Sequence, residues 1–176
     1  MRGFLLVVPL FVPGVAVSLL LAIVLARSAA RVLRTRAALA FLVILSIGMI
    51  VSATLSPLIG ALEEGIGSTG SCDLGRVGLA ALSTYFHVND FSLNVLLFIP
   101  LGLCLPFLPR SRRTLTVALA AFAMPFAIEI TQMLVPVLGR GCQSGDVSDN
   151  LFGLVLGMVA GAILSHLTRL LGLRGT

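Results

Sequence analysis

The sequence predicts an all-α, polytopic transmembrane bundle of about five spans, the third short and kinked, in one domain over residues 1–176. Three observations predict it. The chain is 58% hydrophobic and only 11% charged, its mean hydropathy is +1.11, and its apolar stretches approach the roughly 20 residues that cross a hydrocarbon core. Composition of this kind lies far from that of a soluble globular domain. No nucleotide-binding glycine loop and no zinc-ligand spacing occurs, so no cofactor and no metal is expected.

The first stretch, Phe4 to Ala26, follows Arg2 and precedes an arginine cluster. It exceeds the roughly 7–15 residues of a signal-peptide apolar region, so it is expected to be retained as a span. Ala37 to Ile59 is the second. The third, Phe91 to Leu108, lies between Asp90 and Arg110 and carries Pro100, Gly102 and Pro106, which predict a kinked or partly unwound helix. Thr114 to Val137 and Asn150 to Leu171 complete the set.

Arginine placement predicts the orientation. Arg27, Arg31, Arg34 and Arg36 fill the first loop, Arg110, Arg112 and Arg113 the third, and Arg169 and Arg174 the C-terminal end. These segments are expected in the cytoplasm, with the N-terminus outside and the C-terminus inside. Glu63, Glu64, Asp73, Asp90, Asp146 and Asp149 then fall outside, with Arg2, Arg76 and Arg140. The net charge of +5 is thus a signal of orientation, and no nucleic-acid partner is expected.

Glu129 is the one carboxylate that cannot be assigned to a loop or a helix end, since it follows Pro125-Phe126-Ala127-Ile128 within the fourth span. An ionisable group at membrane depth costs roughly 2.5–3.5 kcal/mol on insertion scales, so it faces a protein interior with a partner. Gln132, three residues on, shares its face. Asp90 and Asn94 are four apart at the outer start of the third span and share a face as well. The plain alternatives are a helix-capping Asp90, an Asn94 that only joins helices and a Glu129 paired to an arginine for structure alone.

After the loop Leu138-Gly139-Arg140-Gly141-Cys142-Gln143-Ser144-Gly145-Asp146, a single helix face carries Asp146, Asn150, Gly153, Gly157 and Gly161. The three glycines form a ladder that admits another helix at close range. The polar groups continue that same face upward. The outer mouth of the bundle is therefore expected to gather Asp90, Asn94, Glu129, Gln132, Arg140, Asp146 and Asn150, with Glu129, Arg140 and Asp146 in one hydrogen-bonded network.

These residues resemble the VanZ-like membrane proteins. The resemblance rests on Asn94 followed by Phe98-Ile99-Pro100-Leu101-Gly102, on Glu129 with Gln132, and on Arg140 with Asp146, Asn150 and Gly153. It covers Asp90 to Gly161. Two departures stand out: Gln143 occupies a position that is often acidic in the family, and Asp149 a position that is usually variable, where it is read as an N-cap. The resemblance implies a multi-span bacterial envelope protein whose namesake is linked to low-level teicoplanin resistance. It implies no reaction.

Cys72 and Cys142 lie in the two outward loops and Cys104 inside a span. A disulfide between the outward pair fits an oxidising compartment and would tie the glycine-rich loop from Gly60 to Val88 over the Arg140 loop. His87, at the end of that loop, is a weaker candidate for proton transfer.

Three function classes remain open. An enzyme would use Glu129 as acid or base, Arg140 as an anion clamp and Asp146 beside them, on a lipid-linked or cell-wall substrate. Asp90, Asn94, Gln132 and Asn150 would bind that substrate. A non-catalytic binder of membrane lipids, cell-wall intermediates or glycolipopeptides would use the same groups. A small transporter is disfavoured because the polar groups cluster at one side and no repeat is visible.

Overall fold

A computed structural model describes residues 8–65, 67–68 and 70–171. Arg2, Arg174 and the start of the first predicted span at Phe4 lie outside the described residues. Among the described residues five helices are long and apolar enough to cross a membrane. They are α1 (Phe11–Leu33), α2 (Ala37–Thr54), α4 (Asp90–Cys104, extended by a 3-10 turn Leu105–Phe107), α5 (Arg112–Leu134) and α6 (Ser144–Leu170). A short α3 (Ile59–Glu63), a 3-10 turn Leu82–Phe86 and two two-residue strands, β1 (Cys72–Asp73) and β2 (Cys142–Gln143), occupy the connections.

The ends of the helices follow local chemistry. α1 runs past the predicted boundary at Ala26 and through Arg27 and Arg31, because arginine, alanine and leucine are good helix formers. It stops where Arg34 turns left-handed at φ 53° and donates its N–H to the Ala30 carbonyl. α2 ends before Pro57, short of the predicted Ile59, since a proline disfavours helix at the residue before it. At the start of α4, Asn89 is the cap: its side chain accepts from the Ser92 N–H while Ser92 answers the Asn89 N–H. Asp90 is thus not the capping residue. Pro100 is accommodated within an unbroken α4, and the departure from α geometry comes at Leu105–Phe107, beside Pro106.

α6 begins at Ser144, six residues before the predicted span. Asp146 and Asp149 consequently lie inside the helix, and Asp149 is not an N-cap.

The bundle is arranged as a series of neighbours: α1 on α2, α2 on α4, α4 on α6 and α6 on α5. The tightest pair is α4 with α6, and the glycine ladder is the cause. A Cβ at Gly153 would fall on the Val95 carbonyl, one at Gly157 on the Ile99 carbonyl and one at Gly161 on the Leu103 carbonyl. From the other side, Gly102 meets the Leu154 carbonyl in the same way. In lipid the apolar surroundings give no net drive for helices to associate, so such close backbone approach supplies the attraction. Phe98, Leu101 and Leu154 of this pair are fully buried in one core cluster with Ile50 of α2.

α1 meets α2 by a related device that the sequence reading did not single out. Gly14 faces Ser52 and Gly48 faces Ser18, with the two hydroxyls 3.4 Å apart. Each serine also donates to the carbonyl four residues earlier in its own helix, which leaves neither hydroxyl unsatisfied in an apolar setting.

Candidate functional site

The start of α4, the end of α5 and the start of α6 meet at one end of the bundle, where the β1 and β2 connections also lie. β1 pairs in parallel with β2, Cys72 opposite Cys142 and Asp73 opposite Gln143. The predicted Cys72–Cys142 disulfide is formed, and Cys104 is free and buried.

Glu129 is only 4% exposed. Its Oε2 accepts the backbone N–H of Gln143 at 2.7 Å. Gln143 is the N-cap residue of α6 and lacks a side-chain cap, so the carboxylate sits at the positive end of that helix, where it is favoured. The other oxygen, Oε1, takes no hydrogen bond from the described residues. Gln132, one turn on and equally buried, donates through Nε2 to the Thr54 carbonyl at 2.9 Å.

Arg140 reaches the same helix end. Its Nε donates to the Ser56 carbonyl at 3.0 Å and its Nη2 to the Ala53 carbonyl at 2.7 Å. Together Arg140 and Gln132 answer carbonyls left over at the end of α2, and the guanidinium lies where a helix favours a cation. Burial lowers the Arg140 pKa from its ordinary value, opposed by the nearby charges of Asp146, Asp90 and Glu129. Yet none of these carboxylates approaches within the 4.0 Å of an ion pair; among the described residues only Arg76 and Asp149 do so.

The expected network of Glu129, Arg140 and Asp146 therefore takes a different form. The three charges share one electrostatic neighbourhood, but each makes its hydrogen bonds elsewhere. Half-buried Asp146 bonds the Asn94 side chain, which joins α6 to α4. Asp90 is exposed at the start of α4. Asn150 is 1% exposed, and its Oδ1 has no hydrogen-bond partner among the described residues. His87 is exposed, and its carbonyl accepts from the Ser92 hydroxyl at 2.7 Å.

A second cluster escaped the sequence reading. Asp149, fully buried, binds Arg76 through both oxygens, Nη2 to Oδ2 at 2.5 Å and Nη1 to Oδ1 at 3.2 Å. The Tyr85 hydroxyl donates to Asp149 Oδ1 at 2.5 Å and accepts the Ala80 N–H at 3.0 Å. Arg76 also donates to the Gly78 carbonyl and stacks 4.8 Å over the Phe91 ring. Gly145 makes room for it, since a Cβ there would meet the guanidinium at 2.5 Å. The hydrogen bonds to Asp149 raise the Arg76 pKa above its ordinary value. Burial, then the bond to Asp149, raises that of Tyr85. This clamp binds the long loop to α6. The signals for it were an arginine among acids, the single tyrosine of the chain and an aspartate one helical turn beyond Gly145.

A family model described as VanZ/LLP1 matches residues 64–165, more than half of the chain. The match reaches back past the predicted Asp90 limit and takes in the loop that carries Arg76 and Tyr85. No curated protein and no solved structure matches.

Proposed function

The chain belongs to the VanZ/LLP1 family, and from that premise we propose that it is an envelope membrane protein whose polar end binds a lipid-linked or cell-wall component. One observation carries the reading: Arg140 stands near three carboxylates and pairs with none of them. An unneutralised guanidinium beside acceptor oxygens suits a ligand that brings both an anion and hydrogen-bond donors. Guanidinium is well matched to phosphate or carboxylate. Glu129 Oε1, Asp146 and the orphaned Asn150 Oδ1 would receive sugar hydroxyls or amide N–H groups, Asn94 would hold Asp146 in place, and Asp90 and Gln132 would border the same site. A lipid-linked sugar phosphate or a glycolipopeptide combines these features.

The polar end is assigned to the outer face. The Cys72–Cys142 disulfide suits an oxidising compartment, and the arginine-rich ends of α1 and α6 and the start of α5 suit the cytoplasmic side. Teicoplanin-type resistance would follow from masking or reorganising an envelope target. A catalytic version has one observation in its favour, the unbonded Oε1 of Glu129, which would serve as acid or base. A transporter is disfavoured because the cluster occupies one end of the bundle.

Purified protein incubated with envelope lipid extract and read by mass spectrometry tests the proposal. Retention of a lipid-linked species, reduced in Glu129→Gln and Arg140→Lys, is expected. A mass change in the lipid would favour catalysis over binding. Equal recovery of all extract lipids by the native chain and both variants would overturn the site.

A further inference from the structure

The opposite end of the bundle is hollow. α4 lies between α2 and α6 but stops at Cys104, while α6 continues to Leu170. Beyond the end of α4, the 3-10 turn Leu105–Phe107 and the connection to Arg110 take up the chain, and a cleft of about 1110 Å³ remains among the described residues. From Asp149 to His166, which lines the cleft, is 17 residues along α6, or about 25 Å at helical rise. It is a separate site from the polar end.

Arg34, Arg110 and Arg169 line it with Arg36 beside them, and no aspartate or glutamate among the described residues does. The three arginines come from three distant segments. Local structure fixes the segments of the first two: the left-handed turn at Arg34 ends α1, Arg113 Nη1 donates to the Val32 carbonyl at 2.6 Å, and Thr114 Oγ1 donates to the Pro109 carbonyl at 2.5 Å. One side of the cleft is apolar, made by Leu39, Leu42, Leu105 and Phe107, while Thr114, Ser165 and His166 are among its polar lining. Leu42 is 48% exposed, so that wall continues onto the membrane-facing side of α2. Like charges gathered over a low-dielectric wall create a field that draws an anion. The apolar wall running out to lipid fits that anion being carried on an acyl chain.

We infer that this cleft binds the phosphate group of an anionic phospholipid, held among Arg34, Arg110 and Arg169, with an acyl chain along Leu39 and Leu42. Basic hollows between membrane helices suit such headgroups, while zwitterionic phosphatidylcholine adds a cation that the arginines repel. Free phosphate shares the headgroup chemistry but gains nothing from the apolar wall.

Native mass spectrometry of the full chain, released from nanodiscs of mixed phosphatidylglycerol and phosphatidylcholine, tests the inference. Preferential retention of phosphatidylglycerol is expected. Each arginine removed should weaken it about fivefold, so the triple change Arg34→Gln, Arg110→Gln and Arg169→Gln should lose it by on the order of a hundredfold. A control with the same loss of charge outside the cleft, Arg27→Gln, Arg31→Gln and Arg112→Gln, should retain it. The corresponding three Arg→Lys changes should keep most of the preference and provide a reading if the glutamine triple does not fold. Equal retention of both lipids by the native chain, or equal loss in the control, would overturn the site. Displacement of the lipid by inorganic phosphate at matching concentration would overturn its lipid character.

Discussion

Arg76 and Asp149, 73 residues apart, close a two-point ion pair that fastens the long loop onto the first turns of α6. Asp149 is fully buried and Arg76 is 28% exposed, so removing the arginine leaves a buried carboxylate without its counter-charge, with the Tyr85 hydroxyl as a remaining donor. Arg76→Ala is expected to cost about 3 kcal/mol, the lower end for a broken buried pair because the arginine keeps some solvent. Thermal unfolding in detergent, with proteolysis of the loop as a second readout, checks this. Unchanged melting would show that the pair is dispensable.

Tyr85 supplies a pH test of the same clamp. Its phenol pKa is raised above the ordinary value near 10, so the protonated form is favoured by folding. The stabilisation is therefore present below the ordinary phenol pKa and is lost as pH rises through the higher folded value. With one tyrosine and no tryptophan in the chain, tyrosinate absorbance reads this residue directly. Titration in the folded protein should come later than in the unfolded chain, and Asp149→Asn should reduce the difference.

Arg140 and Glu129 should respond differently to neutralisation. Arg140→Ala removes two charged hydrogen bonds to the end of α2, worth about 1.5–3 kcal/mol each before relaxation, and should lower the melting temperature clearly. Glu129→Gln keeps an acceptor for the Gln143 N–H, so its stability should change by less than about 1 kcal/mol. On the proposed function it nevertheless loses ligand retention. A Glu129→Gln protein that melts normally and binds normally would reduce Glu129 to a helix-capping role.

Gly153 should tolerate no large side chain. A Cβ there lands on the Val95 carbonyl, which is backbone and cannot swing aside. Overfilled contacts usually cost about 1–3 kcal/mol, and Gly153→Leu is expected at or beyond the upper end, with loss of folded protein in a detergent-resistance assay. The same change at Gly60, where nothing lies within 4 Å, is the control and should be neutral.

Reporter fusions address orientation. Fusions in the Gly60–Val88 loop and after Arg140 should give extracytoplasmic signals, and fusions after Arg36 and Arg113 cytoplasmic ones. The reverse pattern would move the polar end to the inner leaflet.

The number and approximate extent of the membrane helices were legible in the sequence because apolar length and charge placement are local properties. So was the α4–α6 seam, since glycines at Gly153, Gly157 and Gly161 fall on one face by helical period alone. The cysteine pairing was legible too, from their shared side of the chain. Helix ends were less so, because Arg27 and Arg31 continue a helix as readily as they close a span. What only the tertiary structure decided is how each charge is satisfied. Sequence spacing places Glu129, Arg140 and Asp146 at one end of the bundle, but hydrogen bonds have a reach of about 3 Å, and in three dimensions backbone groups stood nearer than the opposite charges did. Arg140 thus turns to the end of α2, Glu129 to the start of α6, and among the described residues the one close ion pair forms between Asp149 and an arginine far away in the chain.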